Sequence, residues 1–234
     1  MRRMALTEAL VTRAARAIAD TGPTAGSVYM DEADYRAAVD AHMARLAGAD
    51  LWVFAYGSLL WKPTFEAVET RTARVHGWHR SFCFRVARFR GTPEAPGLMM
   101  SLDRGGQVRG VVQRVPVADA AATLDGLFRR EVMIKPSINP PRWVTAITEG
   151  GPVLALTFVV NRALPHYAGR LPPDAVADVL ATAGGHWGSC AEYLQSTVSH
   201  LEALGIHDRN LWRLQAMVAD RLSRIPHEDV GAAR

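Results

Sequence analysis

The run Leu51-Trp52-Val53-Phe54-Ala55-Tyr56-Gly57-Ser58-Leu59-Leu60-Trp61-Lys62-Pro63 carries an apolar strand straight into a Gly-Ser turn that is itself hydrophobic. Solvated turns are rarely so apolar. Gly57 permits a positive φ, which would let the amides after it converge with the Ser58 hydroxyl into a nest for a carboxylate. The same spacing also suits a strand end whose Leu and Trp side chains simply pack. A hydrolase nucleophile at Ser58 is rejected, because the elbow requires G-x-S-x-G and Tyr56-Gly57-Ser58-Leu59 has neither the second glycine nor a strand-to-helix crossover after it.

A second candidate is Glu131, which closes Leu124-Asp125-Gly126-Leu127-Phe128-Arg129-Arg130-Glu131. In a continuing helix it lies four residues past Leu127 and three past Phe128, so its carboxylate joins the core-facing stripe. Desolvation there would raise its pKa toward that of a general base, while Arg129 and Arg130 would oppose the rise. A helix-end ion pair with one of those arginines is the alternative. Arg90, in the Gly/Pro-rich turn Phe89-Arg90-Gly91-Thr92-Pro93-Glu94-Ala95-Pro96-Gly97-Leu98, is either a clamp for a carboxylate or part of a mere connector. Tyr193, in Cys190-Ala191-Glu192-Tyr193-Leu194, is either a phenol donor to a ligand or a buried tyrosine satisfied by backbone.

The histidines include no H-E-x-x-H and no cluster at metal-ligand spacing, His76 and His79 being only three apart on a strand or turn. No metal is expected. With no G-x-G-x-x-G and no G-x-x-x-x-G-K-[ST], no dinucleotide or nucleoside triphosphate is expected either, and the expected cofactor is none.

These residues need elements to position them. Leu6, Leu10, Val11, Ala14 and Ile18 recur at helical spacing, Gly22-Pro23 breaks the run, and a second helix is predicted over Glu32 to Leu46. From Leu51 the pattern turns to period two, with strands predicted at 51–56, 80–88, 97–102, 108–115, 142–148 and 153–160. One helix is predicted from Ala118 to Arg130, and three more follow Pro172-Pro173 near 174–183, 190–204 and 209–224. Strands, one inserted helix and then helices make an α+β chain. The division is a helical N-terminal extension at 1–50, a sheet domain with its helices at 51–225 and a tail at 226–234. The extension reads as a cover for a sheet edge or a partner subunit, since one face is aliphatic and the other is solvated charge.

Composition narrows the class of partner. At 234 residues and 49% apolar content the chain can bury a sizeable core. Lys+Arg 27 against Asp+Glu 23 leaves a net charge of +4, scattered rather than blocked, so no nucleic-acid partner is expected. No membrane span and no membrane partner are expected. Cys83 and Cys190 are too few for a disulfide framework, which favours a cytoplasmic protein.

In this order the four segments resemble the ChaC family of glutathione-specific γ-glutamylcyclotransferases, over about residues 52–220. The resemblance rests on Val53 to Pro63, Gly77-Trp78-His79-Arg80-Ser81-Phe82-Cys83, Arg90 to Leu98, Leu124-Asp125 with Arg130-Glu131, and Glu192-Tyr193-Leu194. It implies a mixed β-barrel flanked by helices, a lyase that forms 5-oxoproline, and glutathione as the small-molecule partner of a monomer or weak homodimer. It also implies that Tyr56, Gly57, Ser58 and Leu59 hold the γ-glutamyl group, that Arg90 and Tyr193 contact substrate, and that Glu131 is the acid/base. Two positions depart from the family pattern: Ala55 stands where relatives carry Gly, and Val132 to Pro140 lacks a tyrosine that relatives carry shortly after the Glu. The competing readings are a cyclotransferase for another γ-glutamyl amine or amino acid, and a non-catalytic binding module.

Overall fold

The computed structural model describes residues 3–24 and 26–225. The tail expected at 226–234 lies outside the described residues. In chain order the elements are α1 (Glu8–Ala14), β1 (Val28–Tyr29), α2 (Glu32–Leu46), β2 (Leu51–Ala55), a 3-10 turn (Ser58–Leu60), β3 (Glu69–Val86), β4 (Gly97–Val115) and α3 (Val117–Glu131). The second half holds β5 (Ile134–Lys135), β6 (Pro141–Thr148), β7 (Gly151–Phe158), α4 (Pro173–Thr182), β8 (Gly184–Gly185), β9 (Gly188–Ser189), α5 (Cys190–Ala203) and α6 (Arg209–Ser223).

Five strands close into a barrel in the order β2-β4-β3-β6-β7. Closure leaves none of the five with an open edge. The pairings are antiparallel except at the seam, where β2 runs parallel to β7 and Val53 faces Leu156. Period-two alternation sorts the strand residues between two cores. Phe54, Tyr56, Val75, Val112, Val144, Ala146 and Ala155 fill the barrel, and the register that sets Phe54 opposite Val112 and Val75 opposite Ala146 keeps those partners on one face. Leu51, Val53 and Ala55 point the other way and pack with Leu124, Leu127, Leu194 and Val218 of the covering helices.

The strands predicted at 97–102 and 108–115 are one strand, and the strand predicted at 80–88 begins at Glu69. The polar run 69–79 hides the first half of β3, because the alternate residues face solvent. Gly77, with φ +80, marks a register shift between His76 and Trp78, where the long hairpin bends. Gly105 and Gly106, in the gap between the two predicted strands, lie within β4 at φ +106 and +69.

Helix α1 is shorter than its apolar spacing implies. Thr7 caps it by accepting from Leu10 N–H, and the chain turns extended at Ala15, leaving Ile18 outside. Leu6 N–H donates to Gln215 Oε1 at 2.8 Å, which ties the extension to α6. Helix α2 lies against α3, where Arg129 makes two bonds of 2.7 Å to Glu32 and one of 2.7 Å to Asp125. Arg129 is thereby turned away from Glu131. Strands β1 and β5 pair through Val28–Lys135 and Tyr29–Ile134, and Met30 N–H donates to Met133 O at 2.9 Å. Two-residue strands have no readable period, so the sequence gives no sign of them.

Phe54 is fully buried within the barrel. Phe54→Ala is expected to lower unfolding free energy by about 3–5 kcal/mol, as large-to-small core changes do. Urea denaturation followed by circular dichroism measures it, and a loss below about 1 kcal/mol would show that the barrel interior is not close-packed.

Candidate functional site

Tyr56 follows the last residue of β2, and the chain turns at once through the 3-10 segment, whose Leu60 and Lys62 amides bond back to Gly57 and Ser58 carbonyls. Tyr56 donates its hydroxyl to Phe158 O at 3.0 Å, fixing the strand end to β7. Burial holds the Tyr56 phenol protonated. The positive φ expected at Gly57 is not found, since its φ is −136. Close approach explains the glycine instead. A Cβ at Gly57 would lie 2.9 Å from the Tyr193 hydroxyl, in the space that α5 uses to reach the turn.

Glu131 is the last residue of α3, with its side chain 18% exposed. Arg130 Nε lies 3.3 Å from Oε1, and Asn139 Nδ2 donates to Oε2 at 3.3 Å. Burial raises the Glu131 pKa above the ordinary glutamate range, and the Arg130 charge and the Asn139 bond only partly oppose it. Of the two neighbouring arginines, only Arg130 faces the carboxylate. Arg130 is in turn held by Ser58 Oγ at 2.8 Å and by Lys62 O. Asn139 is held by Ser101 Oγ, which donates to its Oδ1 at 2.7 Å.

Tyr193 projects from the first turn of α5, a helix capped by Ser189 accepting from Glu192 N–H at 3.1 Å. Its phenol is pushed up to about 12, first by burial and then by the Glu131 charge. The Ser58 hydroxyl and amide beside it pull the other way. Trp61 Nε1–H donates to Thr197 Oγ1 at 3.1 Å, pinning the turn to the same helix. Arg90 clamps a carboxylate that belongs to the chain itself: it donates to Glu192 Oε2 at 2.9 Å and to Ser189 O at 2.6 Å. Its guanidinium also lies 5.5 Å from the Tyr193 ring centre. The turn around Arg90 closes tightly, since a Cβ at Gly91 would meet Val86 O and Gly97 N at 2.3 Å.

Two connected cavities result. A small one, about 60 Å³, is lined by Tyr56, Gly57, Ser58, Leu59, Glu131 and Tyr193, which unites six of the seven residues picked from sequence. A large one, about 820 Å³, adds Arg90 and shares Ser58, Glu131, Asn139 and Tyr193 with the first. Glu131 therefore stands where the two meet. Asn139 and Ser101 were missed because Ser137-Ile138-Asn139-Pro140 reads only as loop and Ser101 as a strand residue. The extension is more than a cover: Thr24, Ser27 and Tyr29 line the large cavity. Tyr29 is set beside the segment after Glu131 by its pairing with Ile134, in the stretch that has no tyrosine of its own.

Known proteins resemble this chain in sequence and in fold. A family model for ChaC-like proteins matches residues 51–221. The glutathione-specific γ-glutamylcyclotransferase of Escherichia coli K12 is 35% identical over 162 residues, covering 69% of this chain and 69% of that protein. Glutathione-specific γ-glutamylcyclotransferase 1 of Mus musculus is 30% identical over 167 residues, covering 66% of this chain and 71% of its own. The crystal structure of the yeast γ-glutamylcyclotransferase specific to glutathione superposes with a TM-score of 0.68 at 21% identity, over 76% of this chain and 99% of that one, and so shares the fold. A closed five-stranded barrel flanked by helices, a match over residues 51–221 and these relatives together place the chain in the ChaC-like protein family.

Proposed function

We propose that this chain is a glutathione-specific γ-glutamylcyclotransferase, releasing 5-oxoproline and cysteinylglycine, with residues 51–225 as the catalytic domain. The observation that carries the reading is the desolvated Glu131 carboxylate at the junction of a small and a large cavity. The small cavity takes the γ-glutamyl group between the Tyr56–Leu59 turn and Tyr193, and the large one takes the leaving dipeptide. Glu131 accepts a proton from the substrate α-ammonium. The freed amine attacks the γ-carbonyl carbon, closing a five-membered ring. Collapse of the tetrahedral intermediate breaks the bond to the cysteine nitrogen as Glu131 returns its proton there, and the second proton of the ring nitrogen passes by way of the same carboxylate to the departing amine, which leaves as its ammonium while the ring closes as the neutral lactam.

Because amine and carbonyl belong to one molecule, holding the glutamyl chain folded supplies much of the rate. Tyr193, still protonated at neutral pH, and the amides of the turn are the donors available to the developing oxyanion. Asn139 and Arg130 hold the two oxygens of Glu131 in place, and Arg90 positions α5 and hence Tyr193. We also assign the protein to a reducing cytoplasm, because Cys83 and Cys190 are unpaired and buried, with thiols pushed up to about 12 and about 11 by that burial. Among the described residues no helix is long and apolar enough to cross a membrane.

Incubating purified protein with glutathione and assaying 5-oxoproline tests the reading directly. Glu131→Gln is expected to cut turnover by ~10²–10⁴, and wild-type turnover in that variant would remove Glu131 from the mechanism. The same variant has a stability signature. The folded-state pKa of Glu131 lies above its unfolded value, so its favourable contribution is complete below that unfolded value and is lost as pH rises through the folded one. The melting temperature of Glu131→Gln minus that of wild type is therefore expected to grow between pH 4 and pH 8.

Asn139→Ala removes a bond that lowers the Glu131 pKa, so the acid limb of the kcat/KM profile is expected to move to higher pH. A limb that stays put or moves down would contradict the assignment of that limb to Glu131. Gly57→Ala places a methyl group 2.9 Å from the Tyr193 hydroxyl. Turnover on glutathione is expected to fall about tenfold or more, in line with misplacement of a positioning contact. Wild-type kinetics in this variant would separate the turn from the site.

A further inference from the structure

The large cavity has a wall that the family domain does not supply. Thr24, Ser27 and Tyr29 line it, and all three precede residue 51, where the family match begins. Two anchors hold this wall in place. Val28 and Tyr29 pair with Lys135 and Ile134, and Asp20 grips Arg88 through bonds of 2.8 and 2.6 Å. Arg88 lines the cavity whereas Asp20 does not, so Asp20 holds it from behind. The same carboxylate lies 3.5 Å from His186 Nδ1.

Hydrogen-bond accounting leaves donors over at this wall. Tyr29 Oη accepts from Thr24 N–H at 2.9 Å and lies against the Arg88 guanidinium, which can only donate. The Thr24 bond uses a lone pair of the phenol oxygen, and its proton has no acceptor among the described residues. Asp20 and Tyr29 together occupy only part of the Arg88 donor set. The local charge agrees with this. Among the described residues Lys62 and Arg85 line the same cavity without a side-chain partner, and Glu131 is the one carboxylate on its lining.

We propose that Tyr29 and Arg88 form the recognition site for the carboxylate carried by a dipeptide leaving group, so that the chain selects γ-glutamyl peptides that end in a free carboxylate over those that lack it. The inference rests on the cyclotransferase reading above and adds what the leaving group must carry. Tyr29 and Arg88 line the same cavity as Glu131, so a leaving group seated there meets all three. Asp20 is a positioning residue, acting through Arg88.

The test compares glutathione with glutathione amidated at its glycine carboxylate, and, by calorimetry, cysteinylglycine with cysteinylglycinamide. Wild type is expected to prefer the free carboxylate by about tenfold or more in kcat/KM and in binding, as for hydrogen bonds to a charged group. Tyr29→Phe and Arg88→Gln are expected to shrink that preference severalfold, mainly through KM. Asp20→Asn, which keeps both contacts but loosens Arg88, is expected to shrink it less. Circular dichroism of each variant verifies folding. Acid and amide handled alike by wild type, or a preference undiminished in both contact variants, overturns the proposal. If neither glutathione nor its amide yields 5-oxoproline, the cyclotransferase reading falls, and the calorimetric arm still decides whether a carboxylate site exists.

Discussion

Glu131 ends α3 with most of its carboxylate surface covered, at the neck between two cavities. An ionised carboxylate in such a place is costly unless its oxygens are bonded and a charge lies near. Each oxygen has one protein partner, Arg130 on one side and Asn139 on the other. Those partners are not free to relax, because Arg130 is tied to Ser58 and the Lys62 carbonyl, and Asn139 to Ser101. The end of a helix, the turn after β2, the segment before β6 and the middle of β4 are thus fixed by the need to support one side chain. A carboxylate less well supported would keep its proton and lose its use as a base.

The closed barrel makes that support rigid, and two buried arginines join it to the helices. Arg80 donates to Tyr56 O at 2.7 Å and pairs with Asp208, the residue that caps α6, at 3.2 Å. Arg90 does the equivalent for α5 through Ser189 and Glu192. The planar fork of a guanidinium can bridge a loop carbonyl and a helix terminus at once, which a lysine ammonium does less well. The strand end bearing Tyr56 and the helix bearing Tyr193 are therefore held by both their apolar packing and these bridges.

Much of this was legible in the chain itself. Helices α3, α5 and α6 follow from apolar residues at helical spacing, and β2, β6 and β7 from short apolar runs between Gly and Pro. The greasy Gly-Ser turn and the glutamate on an apolar stripe are features of the sequence, and both belong to the small cavity's lining. Where the reading fell short, the local pattern was weak or misleading. The polar alternation of 69–79 concealed half of β3, Gly105-Gly106 interrupted the apolar pattern of β4, and the aliphatic face of the extension gave no hint that Tyr29 reaches a cavity.

What the sequence by itself determined are properties that act over a few residues: period, capping, turn chemistry, and the placing of Glu131 on the buried side of its helix. Three matters were decided only by tertiary structure. The first is which arginine opposes the Glu131 charge, since Arg129 and Arg130 are adjacent in the chain and their partners, Glu32 and Ser58, lie 97 and 72 residues away. The second is why Gly57 is glycine, since its constraint is a tyrosine hydroxyl from α5 and not its own φ. The third is the pKa of Glu131, because desolvation depends on how many groups from distant segments exclude water from one site, and no local pattern counts them.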